Sequence, residues 1–370
     1  MFVMHPTLLV GSADWDAARL PKEEFVGRSA AFWRDADPGI AGVVVYGSPR
    51  NHAELAYLTH FTPKLEPAIA LIPRVGEPRL LVGGGANMIG AAKPLTFVET
   101  LLPLRDAGQT IARWRRELGS GGLALVNGGA MRFGLRQEIV AALAATPPDA
   151  TGIVAAAMRR KSAREMALVR EACASLAAAF AAMREAHRAG RGMTDAVLAG
   201  ELAAWRRGAQ DVRSLFGRDG ALAPFTVPVA APADPLQVFL AVRHAGYWAE
   251  GFAPLSRSVP PAAAAANKLL DRAIGLMNPG TPRREIGQFL GRSIGLEQMH
   301  PVTHSDFGGT IGLALPKPGC FNTHDEDRFA VGEVDTVRVG LRDANGSAIV
   351  SAMIATTASG RETLWQGADA

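Results

Sequence analysis

The residues of this chain whose types and spacing could do chemistry are His300, His304 and Asp306. On a helix, a four-residue step puts both imidazoles on one face, and two His with an Asp can hold zinc. Pro301 and the run Phe307-Gly308-Gly309 argue for a loop instead. General acid-base work by His304 or His300 therefore has the better claim, because imidazole titrates near neutral pH, with Asp306 or Glu250 as the orienting carboxylate. Histidines on loops are also often merely solvated. Cys320 follows a Pro-Gly turn with neither a neighbouring base nor a helix N-terminus to activate it, so it is a weak candidate nucleophile. The run His324-Asp325-Glu326-Asp327-Arg328 reads as a solvated turn.

The elements that must position these residues belong to a chain of 370 residues, 48% hydrophobic and 20% charged, which is too long for one small core and implies about two domains. Lys and Arg number 39 against 35 Asp and Glu, and only Lys22, Lys64, Lys93, Lys161, Lys268 and Lys317 are lysines. The positive charge is thus nearly all guanidinium, which forks onto carboxylates and phosphates. Acidic residues are interspersed with the basic ones, so neither a nucleic-acid stripe nor a polybasic membrane tail is present. Cys173 and Cys320 cannot form a disulfide framework. The opening MFVMHPTLLVGSADWD lacks a basic segment followed by a long apolar one, and no run of about 18 uncharged apolar residues occurs. These features predict a cytoplasmic protein without membrane or nucleic-acid partners.

From residue 40, the β-rich runs GIAGVVVYGSP, AIALIPRVGEPRLLVGGG and LTFVETLLPL precede a helical stretch at 109–118 and GGLALVNGG. Strand, helix, strand order of this kind predicts an α/β unit of about 150 residues. Its glycine clusters lack the order of a dinucleotide fingerprint. Over 163–188 the pattern changes: Met166, Val169, Cys173, Leu176, Phe180 and Met183 fall on one face of a long helix, read as core, with Ser162 and Glu165 spaced as a capping box. Gly190 and Gly192 end it, and Thr194-Asp195 opens a second helix. A helix over 262–277 stops at Asn278-Pro279-Gly280, and Thr281-Pro282 opens another. Each helix pair is followed by β-rich sequence, at 212–259 and 310–357, which predicts duplicated ααβ halves with a cleft between them.

RRKSAREMALVREACASLAAAF (159–180), MNPGTPRREI (277–286), TIGLALPKPG (310–319), VGEVDTVRVGL (331–341) and IVSAMIATTASGRETL (349–364) resemble, in order and spacing, the blocks of the creatinase and aminopeptidase P family. NHAELAYLTHFTP (51–63) resembles a segment of that family's N-terminal domain. The resemblance covers about residues 40–365. It implies an α+β protein: a creatinase-like α/β domain over 1–155, then a pita-bread domain over 156–370, in a chain that forms homodimers.

Most members of that family hold two metal ions with two Asp, one His and two Glu. Along the resemblance these five positions fall on Arg243, Pro254, Gly309, Arg338 and Ser351. None binds a hard cation, so the expectation is no metal site and no cofactor, with Glu250 the nearest candidate for a displaced carboxylate. Creatinase works without metal, but its active-site His falls near 223–225 and a second substrate-facing His falls on Pro316, so its mechanism does not carry over. On the family scaffold the cleft would receive Arg243, Arg257, Lys317 and Arg338, with His244, Tyr247 and Glu250 beside them and His300, His304 and Asp306 on the approach. Guanidinium in place of carboxylate inverts the field and favours an anion. The plainer alternative is that these arginines pair with buried acids such as Asp335 or Asp343. The resemblance thus implies a metal-independent enzyme of a specialised pathway acting on a C–N bond of a small anionic substrate. Its rival is a catalytically silent pseudo-peptidase that binds an anion or partners an active homologue.

Overall fold

The computed structural model describes residues 14–84, 87–143, 145–218, 222–224, 226–304, 306–317, 321, 326–344 and 346–367, without the side chains of Asn87 and Asp343. Cys320, His324 and Asp325, and most of the opening segment, lie outside the described residues. The chain divides into two compact units, Met1–Met158 and Arg159–Ala370.

The first unit follows the predicted strand, helix, strand order. Helix α1 (Lys22–Asp35) leads into β1 (Ile40–Gly47), then α2 (Ala53–Thr59), β2 (Ala68–Pro73), β3 (Arg79–Val82), α3 (Asn87–Ala92), β4 (Thr100–Pro103), α4 (Ala107–Glu117), β5 (Gly122–Val126), α5 (Phe133–Leu143) and α6 (Thr151–Arg159). The sheet order is β4-β3-β2-β1-β5, with β1 antiparallel to β2 and parallel to β5. Val44, Tyr46, Ile69, Leu71 and Leu125 pack against Ile111, Trp114 and Ile139 of the covering helices. Val43, Val45 and Ala70, which alternate with them along the strands, are also buried, and burial on both sheet faces explains the continuous apolar runs that marked these strands.

The second unit opens with α7 (Ala163–Arg188). Ser162 accepts from the Glu165 amide at 3.1 Å and Glu165 accepts from the Ser162 amide at 3.0 Å, so the capping box forms as its spacing predicted. Val169, Cys173, Leu176, Phe180 and Met183 are buried. By length and composition this helix is apolar enough to cross a membrane, but 56% of that stretch is buried inside the protein. Gly190, with φ +75°, supplies the left-handed turn that ends it, and α8 (Met193–Arg206) follows. A three-stranded sheet β6 (Asp211–Gly217), β7 (Leu236–His244) and β8 (Tyr247–Leu255) completes the first half.

The second half repeats the plan with α9 (Pro261–Leu276), α10 (Arg284–Ser293) and a four-stranded sheet in the order β12-β11-β10-β9. Its strands are β9 (Gly308–Thr310), β10 (Val334–Asp343), β11 (Gly346–Thr357) and β12 (Gly360–Gln366). Val337, Val339, Val350, Ala352 and Ile354 pack on Ala266, Leu270, Ile286 and Leu290 of the two helices. Arg283, 2% exposed, anchors this core by donating to Asp335 at 2.7 and 3.1 Å and to Glu333 at 2.7 Å, with Phe329 beneath its guanidinium at 4.6 Å. Burial works against its charge; Asp335 and Glu333 overcome that and raise its proton affinity.

Candidate functional site

Strand alternation decides which side chains of the second unit share a face. Helix α7 packs on one face of β7 and β8. Tyr247 belongs to that face and donates to Glu165 Oε1 at 2.8 Å, while the His244 ring sits 3.1 Å from Glu171 Oε2, also on α7. Both were predicted to face substrate. They bind the helix instead, because each lies an odd number of residues from its strand's cleft-facing positions, Arg243 and Glu250.

The opposite face is built in cross-strand rows. Asp211 pairs with Arg243 and Arg243 with Trp248; Arg213 pairs with Ala241 and Ala241 with Glu250; Leu215 pairs with Phe239 and Phe239 with Phe252. A two-residue turn at Ala245-Gly246, with φ of 47° and 87°, sets this register. Trp248 is 3% exposed and has two guanidinium groups near its ring, Arg213 at 4.6 Å and Arg243 at 5.7 Å from the ring centroid. Arg243 thus reaches the predicted face. Sequence reasoning passed over Arg213 and Trp248, although their alternation with apolar neighbours on short strands could have revealed them.

On β10, Thr336, Arg338 and Gly340 alternate with core residues Val337 and Val339, and Arg338 pairs with Ser351. Arg338 donates from Nη2 to Glu250 Oε1 at 2.7 Å and from Nη1 to Asp306 Oδ2 at 3.0 Å. Its guanidinium lies 5.5 Å from the Phe252 centroid. Asp306 also accepts from the Gly308 amide at 3.1 Å, and the Arg338 amide donates to the Phe307 carbonyl at 2.9 Å. Ser351 accepts from the Phe252 amide at 2.8 Å, and the Glu250 amide approaches Met353 Sδ at 3.3 Å. The second and first halves therefore meet at one buried group of one guanidinium and two carboxylates. Burial pushes the Glu250 carboxyl up; Arg338 and the Thr336 hydroxyl oppose this, and Asp306 adds to it.

Other predicted site residues lie elsewhere. His300 is 2% exposed, and its Nδ1 accepts from the Val302 amide at 3.1 Å within a turn of 3₁₀ helix at Pro301–Thr303. That contact commits the nitrogen to the turn. His304 ends the turn on the exposed surface. The expected loop is therefore present, with His300 holding the turn and His304 at its exposed end. The Arg257 side chain is 63% exposed beside Asp234, and Lys317 is exposed. The four predicted cations thus do not share one buried cleft. Asp335 pairs with Arg283, not with a cleft arginine as the plainer alternative had it; Glu250 and Asp306 are the acids that hold Arg338.

Arg338 and Ser351 at two of the five family positions, beside Pro254 and Gly309, do not suit a dinuclear metal centre. Among the described residues no three His, Cys, Asp or Glu side chains gather closely enough to hold a metal ion.

No family model and no curated protein sequence matches the chain. Solved structures do. A Xaa-Pro dipeptidase from Bacillus anthracis is 18% identical, covering 92% of this chain and 97% of its own, with a TM-score of 0.71. An X-Pro aminopeptidase from Thermotoga maritima is 16% identical over 88% of this chain and 95% of its own, also at 0.71. Zinc-substituted aminopeptidase P from E. coli in complex with product is 17% identical over 95% of each chain, again at 0.71. Identities this low speak to fold alone, and the fold is clear: this chain is a pita-bread protein of the creatinase and aminopeptidase P architecture.

Proposed function

We propose that the chain is a metal-independent enzyme that acts on a C–N bond of a small substrate carrying an anionic group, with Glu250 as its acid-base residue. The observation that supports this most is the placement of Glu250, a carboxyl 4% exposed and held 2.7 Å from Arg338, where burial raises its proton affinity. A buried carboxyl whose proton affinity is raised above the ordinary carboxylate range is suited to accept and return a proton. In hydrolysis, Glu250 takes a proton from water as the water oxygen bonds to carbon. The C–N bond then breaks, and Glu250 passes that proton to the leaving nitrogen. Arg338 keeps the carboxyl oriented and, with Arg213 and Arg243 on the same face, favours an anionic substrate. Fold neighbours named as Xaa-Pro dipeptidase and X-Pro aminopeptidase make an amide C–N bond the first to test.

The test is turnover of Xaa-Pro dipeptides and amidino carboxylates by chelator-treated protein, with Glu250→Gln and Glu250→Asp beside the wild type. Chelator-resistant turnover that falls about a hundredfold or more in Glu250→Gln is the expected result. Turnover restored only by Mn or Zn would overturn it, as would an undiminished Glu250→Gln. A second reading, a silent scaffold, draws on the two internal carboxylates that already occupy Arg338. Ligand binding without turnover across the panel would establish it.

A further inference from the structure

The two carboxylates on Arg338 are unequal. Glu250 sits in the middle of β8, paired on the ladder with Ala241, and its side chain is 4% exposed. Asp306 lies outside any strand and is 18% exposed, with one further bond, from the Gly308 amide. Arg338 itself is not saturated: its side chain is 10% exposed, and its buried Nε has no hydrogen-bond partner among the described residues. A guanidinium offers more donors than two carboxylate bonds consume.

We propose that Asp306 is an internal stand-in for a ligand carboxylate, and that the ligand is a small carboxylate with an apolar or aromatic body that replaces Asp306 on Arg338. Exchanging one carboxylate for another leaves the buried charge count unchanged, so the guanidinium is never uncompensated. In the free protein Asp306 supplies the counter-charge; in the complex the ligand supplies it and gains access to Nε as well. The class of ligand follows from what borders the cation. Phe252 lies 5.5 Å from the guanidinium, and Phe239, paired with it on the same face and partly exposed, lies 4.6 Å from Phe252 between ring centroids. An apolar floor beside a cation selects a hydrophobic carboxylate over a fully hydrated anion. The proposal rests on the reading of this group as the working site, and it is tested by binding so that its failure is separable from a failure of catalysis.

Calorimetric titration with benzoate, acetate and inorganic phosphate reads it out on the full chain. Asp306→Asn removes the competing charge and binds benzoate about tenfold tighter than the wild type or better. Asp306→Ser, a smaller replacement, repeats that gain. Arg338→Gln in either background abolishes binding, and Phe252→Ala weakens benzoate while leaving acetate unchanged. Far-UV circular dichroism and cooperative unfolding confirm that each variant is folded. Equal benzoate affinity in the wild type and both folded Asp306 variants would overturn the stand-in role. Phosphate binding as tightly as benzoate would overturn the ligand class. Loss of turnover in Glu250→Gln bears only on catalysis and leaves this outcome independent.

Discussion

At the residue scale, Glu250 makes the chemical claim measurable without any substrate. Its folded pKa is raised, so the folded chain binds the proton more tightly than the unfolded chain does. The stability this brings is fully present below the ordinary carboxylate range, near pH 4.3, and is lost as pH rises through the folded value. Glu250→Gln cannot titrate. The unfolding free energy of the wild type, read by urea titration, is therefore expected to fall relative to that of Glu250→Gln as pH rises above the ordinary carboxylate range, by about 1.4 kcal/mol for each tenfold difference in proton affinity. Parallel profiles would show that Arg338 fully cancels the cost of burial. Cys173 gives a second residue-level expectation. Burial pushes its thiol up to about 12, and its Sγ lies 3.7 Å from Met353 Sδ. In a Cys320→Ser background, thiol reagents should leave the native protein unmodified and react only once it unfolds. A fast native reaction would place Cys173 in an opening region of α7.

At the element scale, the sequence was most legible where a period ran long. The α7 stripe and its capping box could be read from spacing because helix geometry is local. The turn at Pro301–Thr303 was legible only as a loop, because what its residues pack on is set by a distant strand. His300 donates its amide to the Gly340 carbonyl, and a Cβ at Gly340 would come within 2.6 Å of both His300 Cβ and Thr303 Oγ1. Nothing within 299–306 announces that partner. The cleft-facing set was half legible for the same reason: Glu250 and Arg338 stood out as charges in apolar strands, whereas the facing of Tyr247 and His244 depends on the hairpin register. Gly340→Ala should therefore displace the turn and destabilise the protein by about 1–3 kcal/mol, read by urea unfolding. Gly275→Ala, in α9 with open space around the new methyl, should instead stabilise by up to about 1 kcal/mol. Equal effects would mean that the turn yields freely and that close approach does not explain the glycine.

At the scale of the whole molecule, a near-neutral sum of 39 basic and 35 acidic residues conceals charges that are paired deep inside the second unit. Arg283 closes one core with Glu333 and Asp335; Arg338, held by Asp306 of its own half, joins the two halves through Glu250. The fold is shared with a zinc-substituted aminopeptidase P, yet here a guanidinium stands among the carboxylates. A divalent ion entering that group would have to displace Arg338 from both acids and then sit beside its charge, which at short range in a low-dielectric interior opposes binding strongly. A ligand that binds only the folded state at a hundredfold excess over its Kd adds about 2.7 kcal/mol, enough to raise Tm by several degrees in a chain of this size. Millimolar Mn or Zn should produce no such rise in the wild type, and a chelator no fall. Arg338→Met supplies the control, since it removes the resident cation and leaves Glu250 and Asp306 facing one another. If the variant folds, it should gain a metal-dependent rise in Tm that the wild type lacks. A rise of equal size in both would show that the ion binds elsewhere, and a rise in the wild type lost in Glu250→Gln would show that a divalent ion binds at Glu250 despite Arg338.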